Sequence, residues 1–153
     1  MQRFEVKIRY VVVNTTNMKQ KKAIIDTYET LYGVDIVVAN RNTTLKDLQK
    51  LYVYADGAVL DDYIIEAMAT SAIVKRIKDN KTCILIKDNK DSSTKGVDKK
   101  VDRINTIAHE ALHAVFYIYE NYMDQKLCGC SSEPACYLIG YIAECVYKTL
   151  TKK

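Results

Sequence analysis

The sequence predicts an α+β domain in which a small mixed β-sheet is backed by helices. Three observations predict it. β-branched runs at 34–39 and 82–87 read as strands; a strand, helix, strand order at the N-terminus suggests a crossover unit; and two long amphipathic stretches fill the last third. With 153 residues, 48% hydrophobic and 27% charged, the chain suits one domain, taken as 1–153, with a sizeable core.

Phe4, Val6, Ile8 and Tyr10 share one face of a strand that continues through Val11, Val12 and Val13. A polar break at 14–17 caps a helix expected over 18–32, with Ala23, Ile24, Tyr28 and Leu31 on its buried side and Gly33 at its end. The strand at 34–39 follows, then a helical turn over 45–51 and a brief strand, Tyr52-Val53-Tyr54, closed by Ala55-Asp56-Gly57. Over 61–78 the residues Ile64, Ile65, Met68, Ala72, Ile73 and Ile77 recur at three- and four-residue steps and predict a helix, with Asp61 and Asp62 near its positive end. The alternative is a short helix and a strand, 72–77, paired across Asp79-Asn80 with the next segment.

The strand at 82–87 is either a buried interior strand, since its run of aliphatics shows no solvent face, or an exposed edge. The charged stretch 88–100 reads as a loop. A helix over 102–122 carries an apolar stripe of Ile104, Ala108, Ala111, Val115, Ile118 and Tyr122. Pro134 suits a first helical turn, so a last helix is expected over about 132–150, with Leu138, Ile142, Cys145 and Val146 inward.

A net charge of +4, from 23 basic and 19 acidic residues, is too small an excess to imply nucleic acid or an anionic membrane, and neither is expected as a partner. The N-terminus lacks the apolar run of a signal peptide, and no stretch approaches membrane-spanning length. Five cysteines without an export signal point to free thiols in a reducing cytoplasm; Cys83, Cys136 and Cys145, in apolar contexts, read as small core residues.

The chemistry is concentrated at His109-Glu110-Ala111-Leu112-His113, an H-E-x-x-H motif that holds both histidines of the chain. Residues four apart on a helix lie one above the other, so the two imidazoles can meet one metal ion while Glu110 projects beside them. A catalytic zinc needs a third protein ligand and an open position. Glu133, twenty residues beyond His113, is one candidate; its other reading is a carboxylate stabilising a helix N-terminus. Cys128-Gly129-Cys130 offers a competing, closed and structural site with the histidines.

The motif followed at this spacing by Glu133 resembles the thermolysin-like zincins, or gluzincins. The words from His109 to Val115 and from Glu133 to Tyr141 are similar also to small zincin-like proteins encoded by bacteriophages. The likeness covers 101–150. It implies a zincin-like fold whose last two helices hold Zn2+ through His109, His113 and Glu133, and the cytoplasm of an infected host as the compartment. It implies a metallopeptidase acting on a peptide or protein substrate, with Glu110 as general base toward a zinc-activated water. A sheet-edge strand would pair with the substrate, and 82–87 is the expected edge. Many such enzymes add a donor for the oxyanion; with no third histidine, Tyr122, Tyr137 or Tyr141 would serve. One departure is Tyr137, which stands where that family has an Asp to orient a ligating His; Asn105 or a main-chain carbonyl would take over. A non-catalytic, phage-associated protein with a structural zinc is the alternative.

Overall fold

The computed structural model describes residues 22–91, 95–96, 98–123, 126 and 132–152. The expected strand at 4–13 and the first part of the helix expected over 18–32 fall outside them. The rest of that expected helix is a strand, β1 (Ile25–Glu29), which forms an antiparallel hairpin with β2 (Asp35–Ala39). Tyr28 and Asp26 are buried against the C-terminal helix, and pairing with β2 outweighs the local helical spacing. Gly33, with φ of +77°, sits in the hairpin turn, where the left-handed conformation favours glycine. Leu31 is exposed in that turn.

α1 (Leu45–Gln49) and β3 (Tyr52–Tyr54) fall where the sequence puts them. The helix expected over 61–78 does not form: α2 (Tyr63–Glu66) gives way to β4 (Ala69–Arg76), which turns through Asp79-Asn80 and pairs with β5 (Thr82–Asp88). Thr70, Ala72 and Val74 alternate as the buried residues of β4, a period of two that the three- and four-residue steps conceal. Asn80, at φ of +56°, makes the turn possible.

The sheet order is β1-β2-β5-β4-β3, with β2 and β5 parallel and every other pair antiparallel. β5 is therefore central, which corrects its reading as the exposed edge; its unbroken aliphatic run fits burial on both faces. One face carries Ile36, Val38, Ile84 and Ile86 beneath α3 (Lys99–Tyr122) and α4 (Ser132–Leu150). The other carries Val37, Ala72, Val74 and Leu85 beneath Leu48 of α1 and Leu60 and Ile64 around α2. A mixed sheet with helices on both faces is thus observed.

Asp98 starts α3, its carboxylate accepting from the Lys100 N–H at 2.7 Å. The helix buries Ile107, Glu110, Ala111, Ala114, Val115, Ile118 and Tyr119, so the stripe is rotated from the expected one: Ile104, Ala108 and Tyr122 are exposed. The rotation turns Glu110 inward. In α4 the inward residues Leu138, Ile142, Cys145 and Val146 are those expected, whereas Cys136 is exposed. α3 and α4 are antiparallel, since Leu150 shares a small void with Thr106 and Ile107 at one end, while only residues 123–131 join the two helices at the other.

Candidate metal centre

His109 and His113 stand one turn apart on the outer side of α3, both exposed. Their Nε2 atoms are 3.0 Å apart and the rings meet edge to face, with centroids 4.6 Å apart. Two nitrogens on one tetrahedral zinc, each at about 2.05 Å, would be separated by about 3.3 Å. The imidazole pair therefore fits two neighbouring ligand positions, and its exposure leaves room for further ones.

Glu110 points the other way, into the protein, and is only 6% exposed. Its Oε2 accepts a short hydrogen bond from the Ser71 hydroxyl of β4. Ser71 sits on the sheet face that α3 covers, since its neighbours Thr70 and Ala72 point to the other. Arg76 donates its N–H to Lys81 in the β4–β5 hairpin, so by antiparallel alternation Val74, Ala72 and Thr70 also bond toward β5. Ile73 and Ser71 then turn their N–H and C=O away from β5. β3 pairs only with Val74 to Arg76, so among the described residues no strand lies beside Ser71 and Ile73. Among the described residues, the edge without a neighbouring strand is the first half of β4, next to Glu110.

Tyr117, one turn beyond His113, reaches the same edge: its hydroxyl donates to the Ser71 carbonyl at 3.4 Å. Burial raises its pKa, and Tyr63 and Glu110 nearby add to the effect. The sequence reading missed Tyr117, although the spacing 109, 113, 117 carries the signal. Ser71 had no signal in the sequence, being 39 residues away in a segment expected to be helical.

The other expected site residues lie apart. Glu133 is exposed in the first turn of α4. With Leu150 beside Thr106 and Ile107 at the other end of α4, Glu133 falls by the last turn of α3, about nine residues past His113 or about 13 Å along the axis. Among the described residues no three His, Cys, Asp or Glu side chains are gathered as a metal-holding group. Cys128 and Cys130 fall outside the described residues. Tyr122 is at the far end of α3 and Tyr137 is 74% exposed on α4. Tyr141 donates its hydroxyl to the Glu29 carbonyl at 2.8 Å, on the sheet edge opposite β4. Asn105 is exposed one turn before His109. Among the described residues no helix is long and apolar enough to cross a membrane. Searches against protein-family models, curated proteins and solved structures found no match.

Proposed function

We propose that the chain is a zinc-dependent hydrolase of peptide bonds with a zincin-like arrangement, in which His109 and His113 hold the metal and Glu110 is the general base. The observation that carries this reading is the 3.0 Å approach of the two exposed Nε2 atoms, one turn apart on α3. Zinc bound there would polarise a substrate carbonyl and lower the pKa of a water. Glu110, which rests against Ser71 on the sheet side of α3, would swing its carboxylate out toward the histidine face to accept the proton of the attacking water and deliver it to the leaving amine. An extended substrate pairs with the outward N–H and C=O of Ser71 and Ile73, which gives affinity with little demand on sequence. Tyr117, already at that edge, is a better-placed donor to the developing oxyanion than Tyr122, Tyr137 or Tyr141.

The third donor expected from the resemblance, Glu133, would have to close about 13 Å of helix length to join the imidazoles. A closed structural zinc is the less favoured alternative, because both imidazoles are exposed. The test is cleavage of a quenched-fluorescent peptide library by the wild type and by Glu110→Gln. The reading expects zinc-dependent cleavage that falls at least about a hundredfold in Glu110→Gln with zinc content unchanged. Equal cleavage by both proteins, or none by either, would contradict it.

A further inference from the structure

β2 and β5 are the one parallel pair in the sheet, and the chain leaves their carboxyl ends in opposite directions. After Ala39 it passes to α1 on one face; after Asp88 it passes to α3 on the other. In open sheets with parallel strands, a crevice forms at such a reversal, outside the carboxyl ends, and ligands bind there. Here the crevice has a volume of about 370 Å³, within the range of small-molecule sites.

Its walls are strongly basic. Lys22, Arg41, Arg103 and Lys152 line it against one carboxylate, Asp88. Lys87, buried beneath, ties the two strand ends together, its Nζ donating to the Asn40 carbonyl at 2.9 Å and to the Asp88 carbonyl at 2.6 Å. The ion pairs among the described residues leave an excess of positive charge. Arg41 bonds Asp88 and Asp91, Arg103 shares Asp88 at 3.0 Å, and Lys152 bonds Asp26 at 2.5 Å. Among the described residues, the four cations that line the crevice thus meet three carboxylates, with the Lys87 ammonium buried beneath them. Asp88, bonded by both guanidinium groups, holds them at the crevice, and Arg103 bonds it through Nη2 alone. Planar, fixed guanidinium groups match the oxygens of a phosphate.

We infer that this crevice binds a small molecule carrying a phosphate or diphosphate group, whose charge answers the surplus of cations. The site does not depend on the histidine pair.

The test is calorimetric titration with pyrophosphate, on the full chain stripped of metal over a chelating resin so that the histidines cannot hold the probe through a metal. Arg103→Gln removes a guanidinium, and Lys22→Ala removes an exposed charge whose loss leaves the fold intact. Lys148→Ala, on the exposed side of α4, is the control. One saturable site per chain is expected, weakened about tenfold by Arg103→Gln and by Lys22→Ala but unchanged in Lys148→Ala. If Arg103→Gln fails to fold, Lys22→Ala decides. Absence of saturable binding, equal weakening in all three variants, or oligonucleotide binding that tightens with length would overturn the inference, the last by pointing to a nucleic-acid surface.

Discussion

Glu110 and its hydroxyl partner Ser71 decide whether the motif is chemistry or coincidence. A buried carboxylate oxygen needs a donor, and Ser71 supplies it. Ser71→Ala should cost about 1–3 kcal/mol of stability, measured by urea denaturation, because it leaves that oxygen without its partner. If Glu110 is the base, the same substitution lowers kcat more than KM, since it disturbs the acid rather than substrate contacts. A fall in KM-related binding alone would remove Glu110 from the chemistry. At this scale the sequence was informative where spacing is local: the histidine pair follows from four residues on one helix. It was silent where partners come from afar, as Ser71 does. It also set Glu110 beside the imidazoles without revealing that its side chain turns to the sheet.

Among the elements, the two long helices and the strands β2, β3 and β5 were legible, whereas β1 and β4 were not. α4 and the extent of α3 follow from periodicity, but which side of α3 is buried depends on β4, which the sequence reads as helix. β1 and β4 were misread for one reason: over five to eight residues, apolar positions that alternate can also match helical steps, and strand pairing decides. The strands and helices also bury titratable groups, with a measurable consequence. Burial pushes the thiols of Cys83 and Cys145 up to about 11, and the hydroxyls of Tyr28 and Tyr52 up to about 12. The folded state holds these protons more tightly than the unfolded chain. Their contribution is complete below about pH 8.5 and is lost as pH rises through about 11 to 12. Lys87, pushed down to about 8 by burial, acts oppositely and adds stability from about pH 8 to 10.5. Two thiols and two phenols outweigh one ammonium, so Tm should fall above about pH 9. In thermal melts across pH, Cys83→Ala/Cys145→Ala should lower Tm near neutrality but delay the alkaline fall by about one pH unit. An unchanged alkaline fall would show that the thiols do not drive it.

For the whole molecule, an α+β domain with a mixed sheet was readable from the sequence, but the strand order was not. Order is set by pairings between distant segments, and only the unbroken aliphatic run of β5 hinted at its central position. Among the described residues, that order leaves the first half of β4 without a neighbouring strand beside α3 and sets a basic crevice at the ends of β2 and β5, on separate parts of one sheet. The peptidase reading requires the first to work with a metal. The most direct measurement is the zinc content of the purified chain by elemental mass spectrometry, beside His109→Ala, His113→Ala and Glu133→Ala. One zinc per chain, lost in both histidine variants, is the predicted result; its behaviour in Glu133→Ala then tells whether that carboxylate closes the distance to join them. No zinc after reconstitution, or zinc retained in both histidine variants, would contradict the metal centre.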